Sequence, residues 1–135
     1  MRDRIFVDTN VLVYFISNHE QKKLQARDAI YSGSEVVVSS QVIGEFINTC
    51  LKKKLLGLDA VAEAASDFLR AIEFHAVQET TILKALTLVK KHKYSYWDSL
   101  IVAAALESGC SILHSEDLQD GQIIAGKLKI VNPFV

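Results

Sequence analysis

The stretch Ile5-Phe6-Val7-Asp8-Thr9-Asn10 places a short apolar run of strand-forming residues directly before three polar residues. Continuous apolar runs of this kind are typical of strands buried on both faces, as in parallel sheets. Similar runs recur at Val36-Val37-Val38, Ser111-Ile112-Leu113 and Lys129-Ile130-Val131, and the stretch from Phe74 to Val77 indicates a short fifth strand. The sequence therefore predicts a mainly parallel sheet of four or five strands.

Helical patterns lie between these runs. They are a helix from Ser40 to about Leu55, one capped by Asp59, one opened by Thr80 or Thr81, and one over Leu100 to Leu106. The inner faces expected from helical spacing are Phe68, Leu69 and Ile72 in the second helix and Ile82, Leu83, Leu86 and Val89 in the third. The fourth helix is apolar on nearly all sides, which indicates burial. Strands alternating with helices predict a three-layer α/β/α fold in one domain, residues 1–135.

The composition agrees with a single folded domain. Half of the 135 residues are apolar and 23% are charged, which excludes a disordered chain, and no apolar run is long enough to span a bilayer. Cys50 and Cys110 lie in apolar segments without CxxC spacing, so we expect two buried free thiols. The first residues reach an acid before a signal-peptide core develops, and we therefore expect a cytoplasmic protein.

Four acids fall where a parallel sheet is expected to bring them together. Asp8 and Asp117 follow predicted strands, Glu45 lies one turn into the helix after Val36-Val37-Val38, and Asp98 begins the buried helix. Carboxyl ends of parallel strands and amino ends of the following helices share one edge, where α/β sheets bind ligands. Crowded carboxylates repel each other, and a divalent cation removes that cost. Oxygen ligands alone favour Mg²⁺ or Mn²⁺ over Zn²⁺.

Each of these acids also has a purely structural interpretation. Asp8 is a suitable helix cap, and Asp98, three residues after Ser95, fits a capping box. Periodicity alone favours a solvated Glu45, and Asp117 lies in a polar turn where Asp is common. The shared edge, and not any single position, makes the set informative.

Other chemical motifs are weaker. The four histidines show no metal-ligand spacing, and neither GxxxxGK[ST] nor GxGxxG occurs. The basic clusters Lys52-Lys53-Lys54 and Lys90-Lys91-His92-Lys93 are equally typical of solvated helix ends and of RNA contacts.

Four segments together carry a resemblance to a known family. They are Ile5 to Leu12, Ser39 to Phe46, Tyr96 to Ala105 and Leu113 to Gly121. With these motifs in this order, the chain resembles PIN-domain proteins, in particular VapC-type toxin ribonucleases of toxin–antitoxin pairs. The resemblance covers nearly the whole chain and implies a PIN-like fold.

The resemblance also implies an activity and a site. It implies an endoribonuclease that hydrolyses RNA with Mg²⁺, for which Mn²⁺ is a possible substitute. The matching positions are Asp8, Glu45, Asp98 and Asp117 for the catalytic acids and Asn10, Ser115 and Asp120 for supporting polar residues. Asp8, Asp98 and Asp117 are expected to bind the metal, and Glu45 to orient or deprotonate water. The implied partners are a VapB-type antitoxin and a second copy of the chain, with no membrane.

Two alternatives to this function are a PIN-fold RNA-binding or assembly module without catalysis and a phosphoaspartate protein. The complete set of acids argues against the first, and Asp8-Thr9-Asn10 lacks the second Asp of the DxD signature that the other requires. The net charge of −1 at first disfavours nucleic acid as a partner. Setting aside the four clustered acids leaves fifteen basic against twelve acidic residues, so the near-neutral total does not argue against RNA.

Overall fold

The computed structural model describes residues 3–135, which contain six strands and six helices. The strands are β1 (Arg4–Val7), β2 (Glu35–Ser39), β3 (Glu73–His75), β4 (Ile112–His114), β5 (Ile123–Ile124) and β6 (Leu128–Val131). The helices are α1 (Thr9–Phe15), α2 (Glu20–Ile30), α3 (Ser40–Lys52), α4 (Leu58–Ala71), α5 (Glu79–His92) and α6 (Tyr96–Glu107).

The strands form one sheet in the order β3-β2-β1-β4-β6-β5. All neighbouring strands are parallel except β5 and β6, which pair antiparallel. The predicted α/β fold with a mainly parallel sheet is therefore confirmed. The sheet has six strands, whereas the sequence predicts four or five. The additional strand is β5, which was missed because it is only two residues long, too short for a recognisable apolar run.

The chain winds across the sheet in two directions. It moves from β1 through β2 to β3 and then crosses back to β4 on the other side of β1. Because parallel crossovers are right-handed, α1 to α4 cover one face and α5 and α6 cover the other. The helix contacts agree, since α1 packs on α2 and α3, α3 on α4, and α5 on α6. The winding reverses between β1 and β4, the place where open α/β sheets bind ligands.

Helix α6 is the most buried element of the three layers. All seven residues from Ser99 to Ala105 are buried, which confirms the predicted buried helix. The helix contacts β2 and β4 on one side and α5 on the other, so no face of its middle turns reaches water. This burial holds the first turn of α6, which carries Asp98, at a fixed position beside the sheet edge.

The buried face of α5 differs from the predicted one. Thr81, Ala85 and Leu88 are buried, whereas three of the four residues predicted to lie inside are exposed. These three are Ile82, Leu83 and Leu86. A face with a small residue at its centre lets α5 approach α6 closely, and this packing prevails over the richer apolar stripe. Leu69 of α4 is likewise exposed, while Phe68 and Ile72 are buried as predicted.

Several helix boundaries also differ from the predictions. The N-caps are Ser39 for α3, Gly57 for α4 and Gln78 for α5, each earlier than the residues expected. Helix α3 ends at Lys52 and not near Leu55, because the chain turns through a positive φ of 54° at Lys54. These shifts leave the order of elements unchanged.

The structure tests the expected state of the two cysteines and the length of the apolar helices. Cys50 and Cys110 are both free and buried, as predicted, and burial raises the pKa of each thiol. Within residues 3–135, every helix is too short or too polar to cross a bilayer.

Candidate active site

Asp8 lies at the junction of β1 and α1, where the winding of the sheet reverses. Only 7% of the residue is exposed. Its Oδ1 accepts a hydrogen bond of 2.7 Å from the Thr9 backbone N–H, and its Oδ2 accepts one of 2.8 Å from the Ser115 hydroxyl. Asp8 therefore caps α1, as its structural interpretation suggests, and the cap uses only one of the two carboxylate oxygens.

The pKa of Asp8 is raised from its ordinary value of 3.8 to about 6. Burial is the main cause, because it disfavours the charged form. The hydrogen bonds from Ser115 and Thr9 lower the pKa, and the nearby carboxylates of Asp117 and Glu45 raise it. None of the ion pairs within residues 3–135 involves any of the four predicted acids, so their charge is uncompensated by a basic side chain.

Ser115 connects Asp8 to the turn that carries Asp117. The serine is fully buried, and its hydroxyl donates to Asp8. The same oxygen accepts from the backbone N–H groups of Asp117 at 3.2 Å and Leu118 at 3.4 Å. The supporting position predicted for Ser115 thus corresponds to a bridge between the ends of β1 and β4.

Asn10 lies between α1 and the same turn. Its Nδ2 donates a hydrogen bond of 3.2 Å to Oδ2 of Asp117, whose side chain is otherwise exposed. Its Oδ1 is buried and finds no hydrogen-bond partner among the described residues. Asn10 therefore orients Asp117, and its enclosed Oδ1 is an acceptor left without a partner beside the turn.

Glu45 is half-buried and is not the solvated surface residue that periodicity alone favours. Its Oε1 accepts a hydrogen bond of 2.8 Å from the Thr9 hydroxyl, which turns the carboxylate toward α1 and Asp8. Sequence reasoning had no role for Thr9. The signal that could have found it is its place between Asp8 and Asn10, in the turn that leaves the first strand.

Asp98 occupies the first turn of α6. Its backbone N–H donates a hydrogen bond of 3.1 Å to the hydroxyl of Ser95, the N-cap predicted for this position. The cap engages the backbone of Asp98, and its carboxylate is left on the surface of a cleft.

The four predicted acids line one cleft of about 300 Å³. The other residues of its wall are Thr9, Gln41, Asn48, Thr49, Trp97 and Ile101. The predicted supporting residues Asn10, Ser115 and Asp120 are not part of this wall. Asn10 and Ser115 bind the acids Asp117 and Asp8, whereas Oδ1 of Asp120 accepts from the backbone N–H of Asn132 at 2.8 Å. An adjoining groove of about 460 Å³ shares Thr9, Thr49 and Asp117 with the cleft and has Lys53 in its wall.

The donor set of the cleft has the chemistry that a hard divalent cation requires. All four side chains are carboxylates, and such oxygen ligands suit Mg²⁺ or Mn²⁺. A cation beside Asp8 would offset the cost of ionising this carboxyl, whose pKa is raised mainly by burial. In the present conformation of residues 3–135, however, no three acidic, histidine or cysteine side chains are close enough together to hold a metal ion. Metal binding therefore requires the carboxylates to draw together.

A mainly parallel sheet with four acids at its winding reversal defines an α/β protein with an acidic cleft. Residues 5–120 match the family model of the PIN domain, and the chain belongs to the PIN domain family. The family resemblance found in the sequence is thereby confirmed. No sequence match is found among curated proteins.

Solved structures share this fold at low sequence identity. VapC20 of Mycobacterium tuberculosis, described as a toxin that cleaves the sarcin–ricin loop, is 21% identical, with a TM-score of 0.69 over 84% of this chain and 89% of that one. A toxin–antitoxin complex from Klebsiella pneumoniae is 18% identical, with a TM-score of 0.73 over 96% and 97%. VapBC2 of Rickettsia felis, bound to a promoter DNA fragment, is 16% identical, with a TM-score of 0.70 over 96% and 99%.

Proposed function

We propose that this protein is a metal-dependent endoribonuclease and the toxin of a VapBC-type toxin–antitoxin pair. The observation that carries the proposal is the convergence of four uncompensated carboxylates on one cleft at the winding reversal of a PIN fold. A cluster of this kind repels phosphate unless a cation is present, so it suits metal-assisted cleavage of a phosphodiester and not simple anion binding.

The cation is Mg²⁺ in this proposal, with Mn²⁺ as a substitute, and Asp8, Asp98 and Asp117 hold it. When bound, the cation neutralises charge that develops on the phosphoryl oxygens and makes water a stronger acid. Asp8 is fixed for this role by the Thr9 backbone and the Ser115 hydroxyl. Because two donors already hold its oxygens, the carboxylate is pre-oriented before any ligand arrives.

Glu45 acts on the attacking water. Its Oε1 is occupied by the Thr9 hydroxyl, which leaves Oε2 available to accept a proton or to orient water toward the phosphorus. A general base must stand within hydrogen-bond reach of the proton it removes, and a fixed carboxylate in the cleft wall meets that requirement once substrate is bound. Attack in line with the leaving oxygen then breaks the phosphodiester bond.

The adjoining groove provides a path for the rest of the RNA strand. It meets the acidic cleft at Thr9, Thr49 and Asp117, and Lys53 lies in its wall. A lysine in the wall of a groove that adjoins the acids suits a backbone phosphate on the neighbouring nucleotide, since such contacts position a strand without reading its sequence. The basic cluster that begins at Lys52 then has a role in substrate binding.

We further propose that the protein works in the cytoplasm as a homodimer that a VapB-type antitoxin inhibits. The exposed apolar side chains of Ile82, Leu83 and Leu86 on α5 provide surface for a second copy. An antitoxin arginine placed among the acids would replace the charge of the cation and block substrate.

The test is cleavage of single-stranded RNA by the purified protein, free of antitoxin. We expect cleavage with Mg²⁺ or Mn²⁺, no cleavage in EDTA, and a loss of at least about 100-fold in Asp8→Asn and Asp98→Asn, the scale on which single catalytic groups act. Asp59→Asn, an exposed acid in the first turn of α4, is the matched control. If wild type binds RNA tightly and yields no product, the non-catalytic binding module is the correct function.

A further inference from the structure

Trp97 is a large aromatic side chain on the wall of the acidic cleft. It is 62% exposed, although it lies only two residues before Ser99, the first of the buried residues of α6. Its neighbour Tyr96 packs edge-on against it, with ring centroids 5.1 Å apart and ring planes at 70°. This contact covers an edge of the aromatic pair and leaves much of the indole uncovered. Packing of the core does not explain why a large aromatic ring is exposed beside this cleft.

The backbone under this ring is tied to the other side of the cleft. Nε2 of Gln41, in the first turn of α3, donates a hydrogen bond of 3.1 Å to the Trp97 carbonyl. Asp98 follows directly, and its carboxylate lines the same cleft. The backbone of Trp97 is therefore fixed one residue before an acid that we assign to the metal, so a group lying on the indole would be close to the scissile phosphate.

The chemistry around Trp97 selects the kind of group that fits. The acidic cleft repels anions, and its polar walls offer little to an aliphatic chain. Gln41 lines the cleft, and its enclosed Oε1 has no hydrogen-bond partner among the described residues, so a small turn of the amide would let it accept from a donor on a ligand. A flat, neutral ring that carries amino groups satisfies all three conditions. Nucleobases are such rings, and aromatic side chains commonly bind them by stacking.

We propose that Trp97 is a stacking platform for an RNA base next to the cleavage site, with a preference for the larger purine rings. The proposal rests on the proposed function to the extent that it takes RNA as the ligand. It adds a determinant of binding and base preference that is separate from the four carboxylates. Trp97 in this role touches substrate and takes no part in proton transfer.

Trp97 is the sole tryptophan of the chain, so the intrinsic fluorescence of the full-length protein reports on this position alone. We would titrate the protein with 12-nucleotide oligo(rA), oligo(rU) and an abasic ribose-phosphate strand, with Ca²⁺ in place of Mg²⁺ and gels to verify intact strands. Stacking predicts strong quenching by oligo(rA), weaker quenching by oligo(rU) and none by the abasic strand. Equal quenching by the abasic strand, or binding without quenching, would overturn the proposal.

Substitutions give a second readout through the anisotropy of a labelled oligo(rA) strand. Trp97→Ala should weaken binding by about 5- to 100-fold, the range measured for loss of one stacked base, and Trp97→Phe should weaken it less. Tyr31→Ala, an aromatic residue that is 71% exposed outside the cleft, is the matched control and should change nothing. Thermal melts identify variants that fail to fold, and the fluorescence titration of wild type does not depend on them.

The outcomes separate this proposal from the proposed function. Cleavage of RNA without quenching rejects the stacking platform and leaves the ribonuclease standing. Quenching without cleavage supports the platform and rejects catalysis. Loss of antitoxin binding in Trp97→Ala, with RNA binding unchanged, would overturn the platform and assign the residue to a protein interface.

Discussion

Acidic residues lie at both edges of the sheet, but only those at one edge are paired with a basic side chain. At the amino edge, Glu35 and Glu73 begin the neighbouring strands β2 and β3, and Arg4 begins β1 on the other side of β2. The Arg4 guanidinium pairs with Glu35 at 2.7 Å and with Glu73 at 2.5 Å. At the carboxyl edge, four acids share a cleft and none forms an ion pair within residues 3–135.

The pKa values follow this difference. Hydrogen bonding to Arg4 lowers the pKa of Glu73, whereas burial raises that of Asp8 to about 6. A paired acid contributes to the folded state, and an unpaired buried acid opposes it. The acids at the carboxyl edge have no basic partner in the folded protein and yet lie in one cleft. This arrangement indicates a site that a positively charged ligand completes. The lack of paired charges at the carboxyl edge, in contrast to the amino edge, is therefore the physical reason for assigning function to the carboxyl edge.

The substitution Glu45→Gln tests the functional assignment of the carboxyl edge and should have the largest effect. The amide keeps an oxygen that can accept from Thr9, so the geometry is preserved while the base is lost. We expect the kcat for RNA cleavage to fall by about 100-fold or more, with Mg²⁺ still raising the Tm of the variant. Glu79→Gln, in the first turn of α5 and outside the cleft, is the control. Unchanged kcat would place Glu45 with the structural acids.

The Asp8→Asn variant tests the carboxyl edge through stability. In metal-free protein, the folded-state pKa of about 6 exceeds the ordinary 3.8, so the contribution of Asp8 is fully present below pH 3.8 and is lost as the pH rises through about 6. The free energy of unfolding of wild type, relative to Asp8→Asn, should fall over that range by on the order of 2–3 kcal/mol.

Urea titrations between pH 3.5 and 7.5 in EDTA measure this difference. The same series with Mg²⁺ should show a smaller fall, because the cation stabilises the ionised carboxylate. Parallel curves for the two proteins in EDTA would mean that Asp8 is not a destabilised acid and that its burial is compensated.

The sequence predicts this contrast only in part. The apolar runs around Phe6 and Val37 indicate parallel strands, and a parallel sheet alone brings Asp8, Asp98 and Asp117 to one edge. That placement depends on strand direction and not on side-chain contacts, and strand direction can be inferred from the alternation of apolar runs with helical patterns.

The hydrogen bonds that fix the side chains of the site could not be predicted from the sequence. The bond from Thr9 to Glu45 joins two helices, and periodicity along one helix carries no information about the other. Asp120 shows the converse, because the family resemblance included it among the supporting residues while its carboxylate binds the Asn132 backbone. The predicted inner face of α5 was wrong for a similar reason, since Ala85 and its neighbours pack better on α6 than the larger Leu83 would.

The mildest test is Arg4→Met, which disrupts the amino edge and leaves the cleft intact. Glu35 and Glu73 are about half-exposed, so water screens their loss of a partner, and we expect unfolding to become easier by only about 1 kcal/mol at pH 7. This loss should shrink as the pH falls and Glu73, whose pKa Arg4 lowers, takes up a proton, the opposite pH dependence to that of Asp8.

RNA cleavage by Arg4→Met should stay within about twofold of wild type, because the substitution lies at the far end of β1 from Asp8. Arg70→Met, which removes an exposed pair with Asp67 on α4, is the control for loss of a surface cation. A tenfold loss of cleavage in Arg4→Met, with the fold retained, would show that the two edges are coupled through β1. The acids of the cleft would then depend on the paired charges at the opposite edge.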